Sequence, residues 1–177
     1  MIKYSLVYPI TLHRDRVLLG YQKKGLWEQT FNGFGGKQEE QDISIAHTAK
    51  RELLEESGLD ADKLIHIGTV VFRHERKRWE PKEVSVYLYE FDMRQLGLSL
   101  GGEVQVTCFA LNNLPWHYMP GTDRCWLSYM LTGNQFVQAS VLISSSTKYN
   151  AQYVKSINFK FYPEHDLKVI DYTEDEE

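Results

Sequence analysis

The sequence predicts one α/β (α+β) domain built on a mixed β-sheet with few helices. Three observations predict it. Strand-like apolar segments outnumber helical ones, and the strongest helical segment has strands on both sides. No repeat, linker or low-complexity block divides the 177 residues, a length suited to a single buried core.

The elements follow in order. "YSLVYPITL" and "RVLLGYQ" read as two strands joined by the polar turn "HRD". The glycine-rich stretch "KKGLWEQTFNGFGGKQEEQ" interrupts periodicity and reads as a loop. "ISIAHTAKRELLEES" reads as a helix, with Gly58 where a C-terminal cap glycine belongs. "GTVVFRH", "EVSVYLYEF" and "VQVTCFAL" supply three more strands, the middle one alternating most clearly. "DRCWLSYMLTG" predicts a second, shorter helix closed by Gly133, and "FVQASVLIS" with "SINFKFY" a final hairpin around "SSTKYNAQ". The acidic end "DYTEDEE", residues 171–177, is expected to be a frayed, solvated tail.

Composition narrows the function classes. A formal net charge of −4 argues against a broadly basic nucleic-acid-binding face. Basic residues cluster only locally, in "YQKKG" and "FRHERKR", patches suited to a small anionic ligand or to a solvated turn. No run approaches the roughly 18 apolar residues of a membrane span, and the start reads as a strand without a cleavage site. Cys108 and Cys125 are too few for a disulfide framework and lack metal-finger spacing, and none of the six histidines pairs at metal-ligand spacing. The expectation is a cytoplasmic monomer or homodimer acting on a small molecule, without a nucleic-acid or membrane partner.

"RELLEESGL", residues 51–59, carries the chemistry. On a helical wheel with Glu52 at the origin, Glu56 falls near +40° and Glu55 near −60°, about 100° of shared arc. Ile45, Ala46, Ala49 and Leu53 run from roughly +20° to +120°, so the glutamate stripe overlaps the edge of the buried face. Partly buried, crowded carboxylates are costly unless protonated or paired with cations, and an all-oxygen set favours Mg²⁺, with Mn²⁺ as the alternative. "FNGFGGK" precedes this helix; its glycines permit close backbone approach, and Lys37 offers a point charge to phosphate.

These residues resemble the signature of the Nudix hydrolases, G-x5-E-x7-R-E-U-x-E-E-x-G-U with U a bulky apolar residue. Arg51, Glu52, Leu53, Glu55, Glu56, Gly58 and Leu59 match its second half and Gly36 its opening glycine, so the signature region is 36–59. Asp42 stands at the first glutamate position, with eight residues rather than seven before Arg51; Asp42, Glu39 or Glu40 is then expected to hold the loop to that arginine. "RVLLGYQKKG" and "LPWHYMPGTDRCWLSYML" are similar to the MutT-like 8-oxo-dGTP diphosphatase branch.

The resemblance implies a Nudix-type α/β/α sandwich and hydrolysis of a nucleoside triphosphate to monophosphate and pyrophosphate. It implies metal ligation by Glu52, Glu55, Glu56 and Glu103, with a carbonyl from Gly35 or Gly36. Glu52 is the first choice for general base and Glu56 for the firmest ligand, with Arg51 beside them. Asn32 and Asp123 fit the positions that read the purine edge, and Asp123 fits an N-cap equally well. Phe34 is expected to help form the pocket, and Met119 stands at or near a base-stacking position. Leu26 or Trp27 is expected to form another wall, and Lys23 and Lys37 to add charge near the phosphates. Another nucleoside-diphosphate-linked substrate, or a nucleotide-binding regulator with the same shell, remains the alternative reading.

Overall fold

The computed structural model describes residues 1–22, 29–76, 79–94, 104–132, 134–144 and 153–173. Within them lie nine strands: β1 (Ile2–Thr11), β2 (Arg16–Gln22), β3 (Thr30–Asn32), β4 (Lys63–His74), β5 (Lys82–Phe91), β6 (Gln105–Ala110), β7 (Phe136–Ile143), β8 (Val154–Tyr162) and β9 (Lys168–Asp171). Two α-helices accompany them, α1 (Ile45–Ser57) and α2 (Leu127–Thr132). The strands run in the order β3-β2-β1-β5-β4-β7-β8, with β6 also on β2 and β9 on β4. β1–β5 and β4–β7 are parallel and the other pairings antiparallel, so the sheet is mixed as expected.

Side-chain alternation divides the core into two layers. Val7, Leu18, Tyr87 and Tyr89 face α1 and pack with Ala46, Ala49 and Leu53. Tyr8, Ile10, Leu19, Val86 and Leu88 face the other way, against Trp126, Leu127 and Met130. Helical segments therefore cover both faces, which is the α/β/α sandwich.

Four differences from the sequence reading have physical causes. β4 begins at Lys63 rather than at Gly68, because Gly68 belongs to a register shift between His66 and Gly68 and does not end the strand. The shift changes the phase of alternation: Leu64 packs toward α1, whereas Val70 and Phe72 pack on the opposite layer. The expected second helix is broken, with a 3-10 turn at Asp123–Cys125 preceding α2; Gly133, its expected cap, lies outside the described residues. β3 and β9 are three and four residues long, too short to announce themselves by alternation.

The fourth difference is the C-terminal end. Residues 171–173 are not frayed: Asp171 pairs with Lys63, the Tyr172 N–H donates to Asp62 O at 2.8 Å, and the Tyr172 hydroxyl donates to Ala46 O at 2.7 Å. Residues 174–177 lie outside the described set.

Candidate active site

The local sequence makes α1 well bounded. Ser44, extended at φ −154°, accepts from the His47 N–H at 3.1 Å, and Gly58 closes the helix at φ 76°. Between these caps the helix buries Ala46, Thr48, Ala49, Leu53 and Ser57. Glu52 and Glu56 flank that face and are half-buried, whereas Glu55 stands in solvent. This is the order the wheel predicts.

Asp42 anchors the loop to the helix. Its side chain is fully buried. Oδ1 accepts from Arg51 Nε at 3.0 Å and Oδ2 from Arg51 Nη2 at 2.9 Å, a bidentate pair. Oδ2 also accepts from the Glu39 N–H and the Thr48 hydroxyl, both at 3.0 Å. The Arg51 bonds, ahead of the others, hold this carboxyl well below the usual range despite burial. Of the three acidic residues weighed for this role, Asp42 is the one that meets Arg51. The remaining guanidinium nitrogen, Nη1, reaches Glu52 Oε1 at 3.1 Å and Glu55 Oε2 at 3.0 Å. His47 is half-exposed, with Nδ1 3.5 Å from Asp42 Oδ1.

The glycine loop packs directly on β1 and α1. The Ser5 N–H donates to Gly36 O at 2.9 Å and the Val7 N–H to Phe34 O at 2.6 Å. A Cβ on Gly35 would collide with the Ser5 carbonyl, so that position demands glycine for space; one on Gly36 would meet the end of the Glu52 side chain, which would have to turn aside. The Gly35 N–H donates to Glu56 Oε2 at 2.8 Å, and Gln22 Nε2 to Glu56 Oε1 at 3.3 Å. Burial raises the Glu52 carboxyl above its ordinary value, opposed by Arg51. Among the described residues no group of three or more His, Cys, Asp or Glu side chains already converges to hold a metal. Glu52 and Glu55 turn toward Arg51, and Glu56 toward Gly35.

A cavity of about 220 Å³ opens beside these carboxylates. Gly35, Gly36, Gln22 and Glu56 line one end; Asn32, Thr122, Asp123 and Trp126 contribute polar groups elsewhere. Asn32 Oδ1 accepts from the Gly33 N–H at 2.8 Å and the Tyr8 hydroxyl at 3.3 Å. Asp123 is buried; its Oδ1 meets only the Thr122 hydroxyl, at 3.5 Å, and its Oδ2 has no partner among the described residues. Desolvation pushes its carboxyl up to about 8. Trp126 Nε1 and Ser5 Oγ are likewise buried without a partner.

Not every residue singled out in the sequence lies here. Phe34 is fully buried in the α1-side layer with Val7 and Leu18, so it is no pocket wall. Met119 packs in the opposite core layer and does not line the cavity. Lys37 is exposed, bridged to Tyr4 at the loop's end, and also outside the lining. Asp123 begins a 3-10 turn as its first residue and makes no N-cap. Lys23, Leu26, Trp27 and Glu103 fall outside the described residues. Sequence reasoning missed Tyr4, Phe72, Lys82 and Trp126, which do line the cavity. Only Trp126 carried a signal, three residues beyond Asp123 in a helical stretch.

Comparison with known proteins agrees with this architecture. The family model described as NUDIX domain matches residues 5–123. The oxidized purine nucleoside triphosphate hydrolase of Mus musculus is 34% identical over 133 residues, 75% of this chain and 81% of that protein. Its Danio rerio counterpart is 32% identical over 132 residues, 75% and 82% of the two chains. The crystal structure of a MutT protein from Bacillus halodurans superposes with a TM-score of 0.65 at 16% identity, covering 90% of this chain and 98% of that one. The match reaches from β1 through the glycine loop and the glutamate helix to Asp123, and the chain belongs to the Nudix family.

Proposed function

We propose that this protein is a divalent-metal-dependent nucleoside triphosphate pyrophosphohydrolase that converts oxidised purine substrates such as 8-oxo-dGTP to the monophosphate and pyrophosphate. The observation that carries it is the half-buried Glu52–Glu56 edge of α1, packed on the glycine loop beside a cavity whose lining holds polar groups unpartnered among the described residues. The names of the mouse and zebrafish relatives support the substrate class.

The donor set suits a hard cation. All its atoms are carboxylate or carbonyl oxygens, and glycine at 36 keeps backbone against the Glu52 carboxylate. Glu52, Glu55 and Glu56 would hold Mg²⁺, or Mn²⁺, with a carbonyl of Gly35 or Gly36; Gly36 O already accepts the Ser5 N–H, which favours Gly35. Bound there, the metal supplies charge neutralisation for phosphate oxygens and acidifies a water. Arg51 keeps its Asp42 bonds while Nη1 steadies Glu52 and Glu55. Glu52, whose carboxyl burial raises, is assigned as the proton acceptor, since a general base works best with a pKa drawn toward neutrality. Glu56 ties the helix to the loop through the Gly35 N–H. A cytoplasmic location belongs to the same proposal.

The test is Glu56→Gln. Gln keeps an acceptor for the Gly35 N–H but loses the charge, so pyrophosphate release should fall by about 10²–10³-fold with the melting temperature preserved. Turnover near that of the unaltered enzyme would overturn the assignment. Steady-state kcat/KM over canonical and oxidised nucleotides with Mg²⁺ tests the substrate class.

A further inference from the structure

Lys82 is the one lysine or arginine lining the cavity among the described residues. It opens β5, opposite Phe72 of β4 across the antiparallel pair, and both residues line the cavity. Its Nζ lies 5.7 Å from the centre of the Tyr4 ring, within the range of a cation–π contact. At this level Tyr4 of β1 has the glycine loop on one side, through Lys37, and β5 on the other, through Val84. Lys82 therefore stands across Tyr4 from the glycine loop, about two strand spacings or roughly 10 Å away.

The other polar groups of the cavity are mostly donors. Asn32 spends its carbonyl on Gly33 and Tyr8, which leaves its amide N–H₂ for a ligand. The Trp126 indole N–H is buried without a partner among the described residues. Burial also favours the protonated, donating form of Asp123. Such a lining rewards a base rich in carbonyl acceptors and penalises one that presents amino groups.

We propose that Lys82 is a specificity-determining residue whose ammonium donates to a carbonyl oxygen of a 6-keto purine, selecting oxidised guanine nucleotides over adenine nucleotides. This rests on the nucleotide-hydrolase reading above.

Lys82→Met keeps an apolar stem and removes the donor; Lys82→Arg restores one. With Mg²⁺, Lys82→Met should lower kcat/KM for 8-oxo-dGTP and dGTP roughly tenfold or more, through KM, and shift dATP less than about threefold. Lys82→Arg should retain most of the activity on the guanine substrates. Calorimetric binding of 8-oxo-dGMP and dAMP, which needs no turnover, should show the same pattern. An equal loss for adenine and guanine ligands, or no loss for either, overturns the proposal. Should the unaltered enzyme hydrolyse none of these triphosphates, the hydrolase reading falls, while the monophosphate preference still decides the role of Lys82.

Discussion

Two aspartates, Asp42 and Asp123, are almost equally buried, at 6% and 4% exposed, yet their surroundings drive them in opposite directions. Asp42 receives two bonds from Arg51 and one each from the Glu39 N–H and Thr48, and its carboxyl is held far down the acid scale. Among the described residues Asp123 meets only a distant Thr122 hydroxyl, and desolvation pushes it up to about 8. Burial alone thus decides nothing about a carboxylate; the donors supplied with it do. One aspartate is furnished by the chain itself and fixes the loop to α1. The other is left incomplete on the wall of a cavity, which is how a fold presents a binding group to a ligand.

The largest break in this comparison is Asp42→Ala. It strands the Arg51 guanidinium, whose side chain is only 20% exposed, without its bidentate partner. Removing one member of a buried pair costs about 3–5 kcal/mol, read as a lower denaturant midpoint at unchanged slope. Activity should fall as well, since Arg51 steadies Glu52 and Glu55. Asp123→Ala removes a carboxyl without a charged partner and should cost less at neutral pH. Equal losses for the two variants would erase the distinction.

Next in size is the dependence on pH. Unfolded aspartate titrates near 3.9. Asp42 has a lowered folded pKa, so its contribution is present above about 3.9 and is lost as pH falls further. Asp123 has a raised folded pKa of about 8: between roughly 4 and 8 the unfolded chain binds fewer protons, and this group reduces stability as pH rises. The slope is about 1.4 kcal/mol per pH unit at most. Asp123→Asn should therefore gain on the unaltered protein from pH 4 to pH 8. Melting temperatures across that window check it; parallel curves would show that Asp123 ionises normally.

The same contrast marks what was legible in the sequence. Helix α1 was readable because its closing Gly58, its apolar period and its glutamate stripe all lie within about four turns of chain, although the sequence reads the N-cap Ser44 as part of the helix. The Arg51 partner was narrowed to three acidic residues; only the folded loop, where the Glu39 N–H and Thr48 converge on one carboxylate, separates them. The cavity wall was much less visible. Tyr4 and Lys82 become neighbours through the parallel β1–β5 pairing, which joins strands some 80 residues apart, and no local period encodes such a register. Phe34 and Met119 were misassigned for a related reason: both lie in segments without periodicity, where side-chain direction is set by the elements above and below.

The finest test compares two threonines. Thr48 and Thr122 are both buried, each with its hydroxyl toward an aspartate, at 3.0 Å and 3.5 Å respectively. Valine matches threonine in shape and nearly in helix propensity, so Thr48→Val and Thr122→Val remove mainly the hydroxyl. At Asp42 the lost bond belongs to a satisfied ionised carboxylate, and about 1–2 kcal/mol should go with it. At Asp123 a contact at the limit of hydrogen bonding to a largely protonated acid contributes little, and the change should stay within about 0.5 kcal/mol. Thr122→Val should instead raise the Asp123 pKa further, because that hydroxyl lowers it. Chemical denaturation at pH 7 measures the first difference and carboxyl titration the second. A Thr122→Val loss as large as that of Thr48→Val would mean that Asp123 is anchored by the fold and is not held open for a ligand.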